Sequence, residues 1–148
     1  MTALTLAKPG DLDTILPLIA AFHSEAGVMQ DDDALRAAVA PLLDGSPHGA
    51  IYMAGPVRAP IGYAVISFGW SLQFGGLEGK LAEIYIRPGV RGRGIASDIL
   101  STLPRALAGA GLRVLHLETA RDDARPRAFY ERMHFTARED IIVMSRKL

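Results

Sequence analysis

The stretch YIRPGVRGRGIASDIL, residues 85 to 100, limits this chain more than any other. An apolar run ends at Ile86, and Ile95, Ile99, Leu100 and Leu103 then recur at helical spacing. Between them lie Arg87, Pro88, Gly89, Arg91, Gly92, Arg93 and Gly94, with no acidic residue among them. The pattern predicts strand, glycine-rich turn, helix, which is an α/β arrangement.

The rest of the chain extends that reading. TALTL predicts a first strand, broken by Pro9-Gly10-Asp11, with Asp11 as helix cap. Leu12, Ile15, Leu16, Leu18, Ile19 and Phe22 predict a helix running to Gly27. A second helix follows the acidic cap Asp31-Asp32-Asp33. GAIYMAG, IGYAVISFGW and KLAEIYIRP predict three strands, the last two joined by a hairpin marked by Gly75, Gly76 and Gly79. Pro104 is expected to kink the helix after the basic turn or to end its first segment, with Gly111 as its stop. RVLHLET predicts a buried strand, ARPRAFYERM a short helix, and the tail FTARED to IIVMSRKL a terminal pair of strands. A mixed α/β sheet flanked by helices results, expected as one domain over residues 1–148.

Composition narrows the function. The formal net charge is zero, so no whole-molecule field draws the chain to nucleic acid or to an anionic membrane. Any anion site must be local. Cysteine is absent, which removes disulfides and thiolate metal sites. His23, His48, His116 and His134 share no metal-ligand spacing, so no metal is expected. The first residues lack the features of a signal peptide, and no apolar run is long enough to span a bilayer. The expectation is a cytoplasmic protein.

The basic turn suits an anion. The first amides of a helix have no internal partner, and the helix dipole adds partial positive charge there. Glycine allows close approach and positive φ. The amides of Arg91, Gly92, Arg93, Gly94, Ile95 and Ala96 form the candidate cradle, against the alternative of a solvated loop. The stretch lacks the Gly-Lys-Ser/Thr of a P-loop, and the third glycine of a dinucleotide fingerprint falls on Ser97.

Arg91-x-x-Gly94-x-Ala96, after a strand ending in Arg87-Pro88, resembles the signature of the GNAT N-acetyltransferase superfamily. ARPRAFYERMHF resembles a later segment of the same superfamily, and the element order matches over nearly the whole chain. The stretch from Gly69 to Ala96 looks most like the diamine and related small-amine acetyltransferases. The resemblance implies a sheet of about six or seven mostly antiparallel strands, the fourth and fifth splayed, with about four helices. It implies acetyl-CoA as cosubstrate, its pyrophosphate on the Arg91–Ala96 amides and its pantetheine arm along Ile84, Tyr85 and Ile86. It also implies a homodimer. Three positions depart from the family: Asp123 where asparagine is common near the pantetheine, Pro126 for alanine, and His134 for glycine.

Acetyl transfer from a thioester needs a neutral amine, a donor for the developing oxyanion and a proton for the departing sulfur. Without cysteine, direct attack in a ternary complex is the simplest route, and a serine relay stays open. The resemblance places Tyr130 near the sulfur as general acid; packing on a short helix is the other reading. Glu83 is the candidate base, or a contact to a cationic substrate. Alternation puts Glu83 and Tyr85 on one strand face, Ile84 and Ile86 on the other. Phe22, His23 and Glu25 lie where the family builds its acceptor pocket, with a surface or packing role as the other reading for each. Trp70 is a candidate pocket or core residue. Arg125, Arg127 and Arg132 could draw a nucleotide phosphate or simply face solvent. The function expected is N-acetyl transfer to a small primary amine. A non-catalytic acyl-CoA-binding regulatory module is the alternative.

Overall fold

A computed structural model describes residues 1–148. Met1–Glu118 and Thr119–Leu148 form two compact units. The first holds a five-stranded sheet in the order β1 (Leu4–Leu6), β2 (Gly49–Ala54), β3 (Gly62–Ser71), β4 (Gly76–Ile86), β5 (Val114–His116). Three helices accompany it: α1 (Leu12–Glu25), α2 (Asp32–Leu43) and α3 (Ile95–Gly109). The second unit holds α4 (Ala124–Arg132). No helix is long and apolar enough to cross a membrane.

Neighbouring strands from β1 to β4 pair antiparallel, whereas β4 and β5 pair parallel over Glu78–Lys80 and Val114–His116 only. Beyond Lys80, β4 runs on to Ile86 without β5 beside it. This is the expected splay, and it leaves half of one β4 edge unpaired. One sheet face carries Ile51, Met53, Tyr63 and Tyr85, packed with Ile15, Leu18 and Ile19 of α1 and Leu35, Val39 and Leu43 of α2. The buried residues of α3, Ile95, Ile99, Leu100, Leu103 and Leu107, lie outside that cluster.

The helix starts follow local chemistry. Asp31 caps α2, its Oδ1 accepting from the Ala34 amide at 2.7 Å. Asp11 does not cap α1: Pro9–Asp11 forms a 3₁₀ turn and the Asp11 carboxylate accepts from the Lys8 amide instead. Pro104 does not end α3, which continues through it as a single helix. Gly75 belongs to the hairpin turn, but Gly76 and Gly79 lie inside β4. Gly79 has a packing reason: a Cβ there would crowd Ile66, Leu112 and Leu115 at 3.2–3.3 Å.

Two expected features are absent. β5 covers three half-buried residues rather than a buried RVLHLET. The terminal pair of strands does not form, so the sheet has five strands, not six or seven. Ile141, Ile142, Val143 and Met144 instead belong to no strand and are exposed. Alternation gives a segment the capacity to pair, but only a neighbouring edge makes it a strand.

Candidate active site

The basic turn is built as an open cradle. Gly92 and Gly94 have φ of 80° and 79°, which L side chains rarely adopt, and a Cβ at either would meet nothing within 4 Å. Gly94 is the N-cap of α3 and offers no side chain to the first turn. None of the amides from Gly92 to Ser97 donates to a group of the protein. Arg91 is the exception at the edge of the run, its amide going to the Pro88 carbonyl at 3.3 Å. The free amides therefore run from Gly92 to Ser97, where the expected cradle was Arg91–Ala96.

The arginines divide the work differently from the sequence expectation. Arg87 Nε donates to the Pro60 carbonyl at 2.9 Å. Arg91 Nε donates to the Ile86 carbonyl at 2.8 Å, and its Nη2 donates to both oxygens of Glu25 at 3.1 and 3.0 Å. Its guanidinium also lies over the Tyr85 ring, 5.4 Å from the centroid. Of the three, only Arg93 is exposed without a hydrogen bond or ion pair inside the protein. The turn has no acid of its own, but the end of α1 brings Glu25 to it. Hydrogen bonds from Arg91 hold the Glu25 carboxyl below its usual range.

Strand geometry decides which main-chain groups face outward. The Arg87 amide donates to the Ile61 carbonyl at 2.8 Å, so Tyr85, two residues back, spends its amide and carbonyl on β3. Ile84 and Ile86 turn theirs to the unpaired edge, although Arg91 already occupies the Ile86 carbonyl. Ile84 and the Ile86 amide remain available. Tyr85 contributes a buried ring, not main-chain contacts, which corrects its expected place along the cofactor arm.

Glu83 stands beside a β-bulge. Val65 pairs with Glu83, but Ile66 pairs with Leu81, so Ala82 is the extra residue. The slip lets Leu81 face the side opposite Glu83. Glu83 then meets two donors from other elements. Tyr63 Oη donates to Oε1 at 2.7 Å, and His23 Nε2 lies 2.7 Å from Oε2. Tyr63 is fully buried, and burial first, then the bond to Glu83, pushes its phenol far above the usual range. Phe22 closes the group, its ring centroid 5.9 Å from His23, 6.5 Å from Tyr63 and 5.8 Å from Tyr85.

Phe22, His23, Glu25, Glu83 and the cradle are thus neighbours around the end of β4. Trp70 is not among them. It pairs with Leu77 at the far end of the β3–β4 hairpin, five residues beyond the partner of Glu83, roughly 16 Å along the strand. It is 70% exposed, so it is not core either. Tyr63 was missed: a tyrosine in an apolar strand carries no sign of the carboxylate across the ladder.

The second unit holds the remaining candidates. Tyr130 sits on α4 with its ring 5.4 Å from Phe129 and 6.0 Å from Phe135, and burial raises its phenol pKa. Asp123 is the N-cap residue of α4, yet its carboxylate makes no cap bond, and Pro126 is accepted in the first turn. Arg127 is bonded to Glu131 and Glu139, which leaves it less free for a phosphate. Arg132 lies over Phe129. His134 follows the helix with φ 72°, a left-handed conformation that favours glycine. No group of metal-ligating side chains is clustered anywhere in the chain.

Comparison with known proteins fits this geometry. The chain aligns with an integron cassette protein, HFX_CASS3, from the mobile metagenome of Cole Harbour salt marsh, at 28% identity and TM-score 0.83, covering 98% of this chain and 90% of that one. The fold is shared with a ribosomal-protein-alanine N-acetyltransferase from Brucella melitensis biovar Abortus 2308, at 18% identity, TM-score 0.75, and 100% and 99% coverage. It is shared too with the aminoglycoside acetyltransferase meta-AAC0020 from an uncultured soil metagenomic sample, at 14% identity, TM-score 0.79, and 99% and 96% coverage. No curated protein sequence matches the chain. The acetyltransferase (GNAT) family profile matches residues 14–135, which takes in α1 from its third residue, the whole of β4, the glycine-rich turn and α4. The chain belongs to the GNAT acetyltransferase family.

Proposed function

We propose that this protein is an acetyl-CoA-dependent N-acetyltransferase that acts on the primary amine of a small molecule, by direct attack in a ternary complex. The observation that carries the reading is the run of amides from Gly92 to Ser97, unused inside the protein at the mouth of a 15-residue helix. Such a run, with Arg93 beside it, suits a phosphate-bearing ligand such as a diphosphate. Acetyl-CoA supplies that diphosphate together with an activated thioester. The unpaired edge of β4 at Ile84 gives the pantetheine amides a strand to pair with, and the Ile84 amide is a donor for the developing oxyanion.

The chain's own residues then divide the proton work. Glu83 accepts the proton that the amine loses as its nitrogen bonds the acetyl carbon. Tyr130 gives its phenolic proton to sulfur as the carbon–sulfur bond breaks, and burial keeps that phenol protonated near neutral pH. Glu83 at the end of β4 favours a cationic acceptor, of which diamines and related small amines are the class proposed. We place Asp123 near the cofactor arm on family position, and we expect a homodimer.

Two measurements test this. Calorimetry with coenzyme A should give binding, and release of free thiol from acetyl-CoA should follow when a panel of diamines, amino acids and aminoglycosides is offered. Binding with no turnover on any amine would favour a regulatory module. No binding would remove the cradle and the function with it.

A further inference from the structure

We infer that His23 is a positioning residue that donates from Nε2 to Glu83 and so keeps that carboxyl ionised and aimed. The inference rests on Glu83 as the proton acceptor of the proposed reaction, and adds the group that prepares it.

The argument is an accounting of protons in a small, enclosed cluster. Glu83 Oε1 accepts from Tyr63, which is fully buried and retains its proton. Glu83 Oε2 lies 2.7 Å from His23 Nε2, and one proton must lie between them. It can belong to the ring or to the carboxyl. His23 Nδ1 decides which: it is buried and has no partner. If the proton were on Glu83, Nε2 would be the acceptor and the neutral ring would carry its hydrogen on Nδ1, a donor stranded without an acceptor. A doubly protonated ring would strand the same N–H. A buried donor left unsatisfied costs about 1–3 kcal/mol. With the hydrogen on Nε2, Nδ1 is an unsatisfied acceptor, which folded proteins tolerate more readily than an orphaned N–H. The cheapest arrangement is a neutral ring donating to an ionised Glu83.

The surroundings agree. The titratable groups facing Glu83 are His23 from α1, Tyr63 from β3 and Tyr85 from its own strand, with the Glu25–Arg91 pair next to Tyr85. Arg91 is occupied by Glu25, so no cation of the protein neutralises Glu83. Two neutral donors do the work instead. Each engages one lone pair of one oxygen, which leaves both oxygens able to accept once more. The side chains of His23 and Glu83 are 15% and 23% exposed, so an amine or a bridging water can reach that remaining capacity. His23 lies in the last turn of α1, so the end of that helix is tied to the base as well as to the cradle.

The test uses the full chain with His23→Leu, His23→Gln and Tyr63→Phe. Nitrogen-15 spectra of the free protein should show His23 as a neutral ring protonated on Nε2; a ring protonated on Nδ1 overturns the inference. Carbon-13 titration of Glu83 should move upward by about one pH unit in His23→Leu and in Tyr63→Phe, because each loses a donor to the charged form. His23→Gln, which keeps an N–H donor, should restore most of the shift. An unmoved titration in His23→Leu, or no rescue by glutamine, also overturns it. The acid limb of kcat/KM should follow the same displacement, about a tenfold loss at pH values below the limb, with KM for acetyl-CoA unchanged. A shifted titration with an unshifted limb would leave His23 in place and remove Glu83 as base. A limb that persists in Glu83→Gln would do the same.

Discussion

Replacing Gly94 by alanine separates the cradle from a mere loop. The residue sits at φ 79°, ψ 13°, as N-cap of α3. No heavy atom lies within 4 Å of the added Cβ, so the protein itself raises no clash. The cost is conformational: about 1–2 kcal/mol for an L residue in the left-handed region. Alanine recovers about 0.5–1 kcal/mol by restricting the unfolded chain. The net loss is about 0–1.5 kcal/mol, and thermal unfolding should fall by no more than about 6 °C. Ligand binding should suffer more. If the turn keeps its shape, the methyl occupies the space the diphosphate must enter. If it relaxes, the amides of Gly94 and Ile95 rotate away from it. Losing one or two hydrogen bonds to a charged group, about 1.5–3 kcal/mol, means coenzyme A affinity lower by roughly tenfold to a hundredfold. Gly89→Ala is the control. It lies in the same turn with equally open space but without positive φ, and it should change neither quantity appreciably. Calorimetry with coenzyme A and a melting curve read both. Wild-type affinity in Gly94→Ala would mean that the anion does not sit on these amides.

Tyr130→Phe should lower kcat by about a hundredfold and leave coenzyme A affinity unchanged, since it removes a proton donor and little packing; steady-state kinetics with calorimetry check it, and an unchanged rate would dismiss the general-acid role. His134→Gly should raise stability by about 0.5–1 kcal/mol by relieving the left-handed backbone at φ 72°, read by denaturant unfolding. Gly62→Ala should destabilise by more than about 2 kcal/mol, because its Cβ would lie 2.4 Å from the Tyr85 carbonyl oxygen, and the β3–β4 ladder would have to part. For the homodimer, the exposed run Ile141–Met144 is the first surface to test. The pair Ile142→Lys and Met144→Lys should weaken self-association in sedimentation, and a wild-type chain that stays monomeric would end that expectation.

Much of the fold was readable because it depends on local signals. Gly92 and Gly94 at positive φ, the Asp31 cap and the helical spacing of α1 and α3 are each fixed by residues a few positions apart. The terminal strands failed because pairing depends on a distant edge that periodicity does not encode. Pro104 does not end its helix for a related reason: the buried Leu100, Leu103 and Leu107 hold α3 to the core on both sides of the hydrogen bond that proline removes.

By itself, the sequence determined the glycine-rich turn, the helix it opens and the absence of cysteine, which excludes a cysteinyl acyl-enzyme. Only the tertiary structure decided how the charges meet. It carried Glu25 across 66 positions to occupy Arg91, turned the main chain of Tyr85 inward, and gave Glu83 both Tyr63 and His23 as donors. The reason is range: backbone conformation answers to near neighbours, whereas a hydrogen bond between side chains exists only where folding has brought two distant elements within 3 Å.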